Sequence, residues 1–180
     1  MDLTEKTLSS RKIFDGHVVK LRVDTVELPD GTESEREIIE HPGGVCVLAV
    51  DNENNVLMVK QYRKGAEEVL LEVPAGKLEV GEDHFECGKR ELEEETGMIA
   101  EHYEYLGYFY PTPAYCQERI HMYFACGLNP SCQKLDEGEF LEVIKIPYSK
   151  LYEMALNNEI YDGKTVMAIL KAKCYIKDKI

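Results

Sequence analysis

An α+β layered domain is the fold class this sequence predicts, and three observations predict it. Strand-like runs dominate the first two thirds, one helix-like segment interrupts them at mid-chain, and two more helix-like segments close the chain. That order lacks the regular strand-helix alternation of a Rossmann-like protein. The 180 residues, 44% of them hydrophobic, suffice for one domain with a core and a small appended lobe.

Taken in order, residues 18 to 28 (VVKLRVDTVEL) alternate loosely, turn at Pro29-Asp30-Gly31, and resume as the charged stretch ESEREIIEH. Pro and Gly supply the turn geometry of a β-hairpin. Its residues bury little alone, so it needs a neighbour from the main domain or from another subunit. His41-Pro42-Gly43-Gly44 reads as a hinge, dividing a lobe of residues 1–43 from a domain of residues 44–180. VCVLAV (45 to 50) and VLMVKQY (56 to 62) read as core strands of one sheet, joined by the polar turn DNENN. VLLEVPAG (69 to 76), YEYLGYFY (103 to 110), RIHMYFACGL (119 to 128) and LEVIKIP (141 to 147) are further strands, with an acidic loop, LDEGEF, at 135 to 140. Ser149 is placed to cap KLYEMALNN, and Asp162 or Thr165 to begin VMAILKAKCYI.

Composition narrows function. A formal net charge of −13 repels phosphate backbones, so no nucleic-acid partner is expected. A phosphorylated substrate would need cations or a local arginine to offset that field. No apolar run reaches the length of a membrane span and the first residues lack a signal-peptide core, so a cytoplasmic protein is expected. Cys46, Cys87, Cys116, Cys126, Cys132 and Cys174 form no C-x-x-C pair and read as reduced core thiols rather than zinc ligands. No two of the five histidines have H-x-x-x-H spacing.

The informative stretch is GKLEVGEDHFECGKRELEEETGM, residues 76 to 98, where four of five consecutive residues from Glu91 are glutamates. Asp83 with Glu86 predicts a helix start and Gly97 a stop, with Phe85, Gly88 and Leu92 as the buried stripe. Glu91, Glu94 and Glu95 then share one face within a single turn, at i, i+3 and i+4. Such carboxylates repel unless something positive sits among them, and hard divalent cations take oxygen ligands of this kind. A solvated acidic face is the other reading, and spacing decides against it. The segment runs Gly76, five residues, Glu82, seven residues, Arg90-Glu91-Leu92, one residue, Glu94-Glu95, one residue, Gly97-Met98. At roughly 7% frequency per residue, the seven fixed positions match by chance on the order of 10⁻⁸ per starting position.

This is the complete Nudix box, and the sequence resembles the Nudix hydrolase family. The flanks REIIEHPGGVCVLAV, VKQYRKG, LLEVPAGKLEVGE, YPTPAYCQER, DEGEFLEV and EIYDGKT resemble its ADP-ribose pyrophosphatase branch, from about residue 12 to about 175. The resemblance implies a Nudix fold, an α/β/α sandwich with a mixed sheet, plus a small N-terminal antiparallel β lobe exchanged in a homodimer. It implies Mg²⁺ (or Mn²⁺ as substitute) held by the carbonyl of Ala75 and by Glu91, Glu94, Glu95 and Glu139. It implies that Glu82 pairs with Arg90, and that Glu137 is the base and Glu139 a ligand, with the reverse left open. Arg36 and Glu37 would contact adenine, though a cross-strand ion pair reads as well. Arg63 would offset diphosphate charge, Glu118 would face the terminal ribose or the metals, and His17 lies near the position of an aromatic residue covering the base. In relatives the loop after the box reads S-P-G; here it reads Tyr110-Pro111-Thr112-Pro113-Ala114, leaving fine substrate choice open. The implied reaction is hydrolysis of ADP-ribose to AMP and ribose 5-phosphate. The alternatives are another nucleotide sugar, such as a GDP-hexose, or a Nudix-like ligand-binding protein without hydrolysis.

Overall fold

A computed structural model describes residues 1–176, and its contacts divide the chain into two compact units.

The first unit comprises Met1–Gly43 with Tyr110–Arg119. Three antiparallel strands, β1 (Lys6–Asp15), β2 (Lys20–Glu27) and β3 (Glu33–Glu40), lie in the order β1-β2-β3. The predicted turn forms between β2 and β3, with Gly31 at φ 85 and its N–H donating to the Leu28 carbonyl at 2.9 Å. β3 is met on its outer edge by the 110–119 segment: Ile39 N–H donates to the Tyr115 carbonyl at 2.7 Å, and Gln117 N–H to the Ile39 carbonyl at 3.0 Å. Sequence reading missed β1. All ten of its residues are exposed, including Leu8, Ile13 and Phe14, so no inside-outside alternation marks it.

The second unit, Gly44–Phe109 with Ile120–Ile180, carries a seven-stranded mixed sheet. Its path runs β10 (Leu141–Pro147), β5 (Asn55–Arg63), β4 (Gly44–Val50), β9 (Ile120–Pro130), β8 (Met98–Phe109); β6 (Glu68–Glu72) pairs with β5 and β7 (Ala75–Lys77) with β4. β4 runs parallel to β9 and is buried at every residue, which is why VCVLAV is an unbroken apolar run. Its side chains feed two cores. Cys46, Leu48 and Val50 pack with Leu151, Ala168 and Ile169 from α2 (Tyr148–Leu156) and α3 (Gly163–Ala172). Val45, Val47 and Ala49 pack with Cys87 and Leu92 of α1 (His84–Thr96). The sheet is therefore sandwiched between α1 and the α2–α3 pair, as a Nudix fold requires.

Local chemistry corrects three expectations. VLLEVPAG is two strands rather than one, β6 and β7, separated at Val73-Pro74, because Pro74 has no N–H to donate to a ladder. Ser149 does not cap α2; that position falls to Pro147, whose side chain makes no capping hydrogen bond. Only Cys46 and Cys87 are core thiols, whereas Cys132 and Cys174 are exposed.

Candidate active site

α1 begins where the Asp83 carboxylate accepts the N–H of Phe85 at 2.9 Å and of Glu86 at 3.4 Å. It ends at Gly97, left-handed at φ 67, whose N–H reaches the Glu93 carbonyl at 2.8 Å. The buried face holds Cys87, Gly88, Leu92 and Glu95, whereas Phe85 lies outside it, edge-on to Tyr103. A Cβ on Gly88 would stand 3.0 Å from Val45 Cγ1, so the bare glycine lets the helix lie close to β4 without displacing that side chain.

Arg90 ties the preceding loop to this helix. Its Nε and NH2 donate to the two Glu82 oxygens at 2.9 and 3.1 Å, and Glu82 also accepts the Glu79 N–H at 2.9 Å. The hydrogen bonds from Arg90 hold the Glu82 pKa down at about 2. The remaining nitrogen, NH1, donates to Glu91 at 2.8 Å and to Glu94 at 2.9 Å.

Glu91, Glu94 and Glu95 share the helix face turned to the loop. Glu95 is 3% exposed, accepts the Ala75 N–H at 3.0 Å, and forms no ion pair among the described residues. Burial pushes its pKa up to about 8, with Glu91 and Glu139 adding repulsion against the pull of the Ala75 N–H. Burial likewise pushes Glu91 up to about 7, against the pull of Arg90. Both carboxyls are under-compensated as anions. A Cβ on Gly76 would fall 1.8 Å from Glu91 Cδ, so a bare glycine cradles that carboxylate. Among the described residues, no three acidic, histidine or cysteine side chains converge on an ion as they stand, because the Arg90 guanidinium lies between Glu91 and Glu94. An all-oxygen donor set on one helical turn, with Glu95 buried and one guanidinium shared between Glu91 and Glu94, fits a hard divalent cation.

The acidic loop supplies a further carboxylate. Gly138, at φ 83, turns the chain between Glu137 and Glu139. Glu139 accepts Gln61 Nε2 at 3.0 Å and the Asp136 N–H at 3.4 Å, and its charge reaches Glu91 and Glu95. Glu137 lines a cleft with Gln61, Tyr62 and the exposed Phe140.

Comparison with known proteins decides the family. The profile of the NUDIX domain matches residues 40–167, and that of the nucleoside diphosphate sugar hydrolase N-terminal domain matches residues 5–39. The chain belongs to the Nudix family. A Bacillus methanolicus protein named methanol dehydrogenase activator is 48% identical over 92% of this chain and 90% of its own length. A Bacillus subtilis protein named ADP-ribose pyrophosphatase is 44% identical over 93% of this chain and 91% of its own. Among solved structures, one titled as an ADP compounds hydrolase superposes with a TM-score of 0.85 at 20% identity, covering 98% of this chain and 97% of that one, a likeness of fold.

Within this Nudix domain, Arg63 is clasped by a residue that sequence reading passed over. Its Nε and NH2 donate to Glu72 at 2.7 and 2.9 Å, and Glu72 is 1% exposed. A lone carboxylate inside the apolar run VLLEV was the available signal, since a buried charge demands a partner. The other residues assigned to substrate lie in the N-terminal unit. Arg36 does not pair with Asp24, opposite it on β2; its guanidinium bonds Glu5 at 2.6 and 2.9 Å and Ser34 at 2.9 Å. Glu37 is exposed on β3, and His17 is exposed in the turn between β1 and β2. Glu118 lies 3.8 Å from His41 Nε2.

Proposed function

We propose that this Nudix protein hydrolyses the diphosphate of ADP-ribose, adding water to give AMP and ribose 5-phosphate. The observation that carries the reading is the gathering of Glu91, Glu94 and Glu95 on one turn of α1, with Glu91 and Glu95 under-compensated as anions and the turn braced by the Glu82–Arg90 fork. The 44% identical protein named ADP-ribose pyrophosphatase directs the substrate choice. The activator name of the 48% identical protein states an effect on another enzyme, whereas the carboxylates on α1 support a hydrolytic reading.

Mg²⁺, or Mn²⁺ in its place, when bound supplies charge neutralisation for the diphosphate and acidity for the attacking water. Glu91, Glu94, Glu95, Glu139 and the Ala75 carbonyl would hold it. Arg90 NH1 would then give up Glu91 and Glu94 while Nε and NH2 keep Glu82, leaving the brace in place. Glu137 takes the proton of the water, and Gly138 lets the loop bring it within hydrogen-bond reach. Arg63 meets the diphosphate, Arg36 and Glu37 the adenine, and Glu118 the terminal ribose. For Arg36 this means exchanging Glu5 for the base, where a guanidinium stacks well. We further propose a homodimer in which the N-terminal lobe exchanges and His17 covers the base. Leu8, Ile13, Phe14 and Val18, all exposed on that lobe, support a second copy as their cover. Six free thiols suit a reducing compartment, and we place the enzyme in the cytoplasm.

The test is a hydrolysis screen with Mg²⁺ across ADP-ribose, GDP-mannose, diadenosine polyphosphates and an oxidised nucleoside triphosphate. ADP-ribose should give the highest kcat/KM, with AMP and ribose 5-phosphate as products. A higher value for GDP-mannose would move the assignment to a GDP-hexose, and no turnover of any compound would leave only ligand binding.

A further inference from the structure

The Asp162-Gly163-Lys164-Thr165 segment at the start of α3 has no part in the chemistry above, yet it is fastened to Arg63 through one buried carboxylate. Asp162 caps α3, accepting the Thr165 N–H at 3.0 Å and the Thr165 hydroxyl at 2.5 Å. The Thr165 oxygen in turn accepts the Val73 N–H at 2.9 Å, clipping the helix start to the end of β6. That clip sets Lys164, whose side chain is 14% exposed, between two acids: it donates to Glu72 and pairs with Asp162 at 3.0 Å.

Glu72 therefore has three charged donors: Arg63 Nε, Arg63 NH2 and Lys164 Nζ. Two cations and two carboxylates balance, as a buried cluster must. Arg63 is held by its Nε/NH2 edge alone. Its NH1 has no acceptor among the described residues, its side chain is 41% exposed, and it feels the charge of Glu95. A guanidinium fixed by one edge offers the other to phosphate oxygens in a set orientation.

We propose that Lys164 is a positioning residue for diphosphate recognition: by balancing buried Glu72, it keeps Arg63 locked by one edge and free to engage the substrate with the other. This rests on the hydrolase reading for its substrate class. Without Lys164, Glu72 and Asp162 face one guanidinium, and the residual negative charge opposes an anionic ligand.

The experiment compares Lys164→Met, Lys164→Arg and the double variant Glu72→Gln/Lys164→Met in the full chain. Melting is followed by circular dichroism, kinetics with ADP-ribose, and binding of ADP against AMP by calorimetry. Lys164→Met should raise KM about tenfold or more and weaken ADP equally, while AMP affinity moves less than about twofold. Lys164→Arg should stay near wild type. The double variant, which removes the buried charge with its partner, should fold and still show the raised KM, because Arg63 has lost its anchor. Wild-type KM and ADP affinity in the folded variants, beside a lowered melting temperature, would overturn the proposal and leave Lys164 purely structural. Wild-type protein binding ADP no more tightly than AMP would overturn it too. ADP binding that responds as expected, in a protein that does not hydrolyse ADP-ribose, would uphold it and refute the substrate reading alone.

Discussion

Glu139 and Glu137 are two residues apart, and the structure treats them differently. Both line one cleft, but Glu139 is hydrogen-bonded to Gln61 and its charge is felt by Glu91 and Glu95. A ligand and a base respond differently to loss. Glu139→Gln should raise the Mg²⁺ concentration for half-maximal rate and regain activity at high Mg²⁺; Glu137→Gln should lower kcat with the Mg²⁺ requirement unchanged. Initial rates against Mg²⁺ make the comparison, and wild-type behaviour in both variants would reduce the loop to a solvated turn. Glu72 carries a different prediction. Burial alone would raise its pKa, but Arg63 and Lys164 outweigh burial and leave it below 4.5. A carboxyl depressed on folding lends stability that is full above about pH 4.5 and is lost as pH falls through the folded value. Urea unfolding from pH 7 downward should show a shallower acid loss for Glu72→Gln than for wild type; equal slopes would contradict the ion-pair account. The shared turn of Glu91, Glu94 and Glu95 follows from spacing along one helix and was legible in the sequence. The Lys164 partner of Glu72 and the Glu5 partner of Arg36 were not, since each is distant along the chain from the charge it meets.

α1 shows how an element converts pattern into geometry. Asp83 and Gly97 set its ends, and both were readable because residue type strongly favours caps and left-handed stops. Asp83→Ala should cost about 1 kcal/mol in urea unfolding while leaving the native circular dichroism unchanged. No loss would mean that the loop, not the cap, fixes the helix start. Where tertiary contacts decide, the sequence was less informative. Phe85 keeps the helical period but faces Tyr103 outside the core, and the interior place belongs to Cys87. Ser149 is a good cap by propensity, yet the helix begins two residues before that cap would place it, at Tyr148, whose buried ring donates its hydroxyl to the Ile169 carbonyl at 2.8 Å. β1 escaped notice because a strand with no buried face carries no period-two signal.

At the scale of the whole molecule, the N-terminal unit buries Val23 and Val26 but leaves Leu8, Ile13, Phe14 and Val18 exposed. Static light scattering should therefore give a dimer mass at micromolar concentration, and a fully active monomer would contradict lobe exchange. The net charge of −13 sets the other large-scale condition, since an anionic substrate must enter against it. That makes the cation proposed for the α1 carboxylates the centre of the account. The most direct test is kcat for ADP-ribose at saturating Mg²⁺ in Glu94→Gln and Glu95→Gln, with folding checked by circular dichroism. Each should fall at least about a hundredfold with the native fold retained; near wild-type turnover in both folded variants would contradict the account.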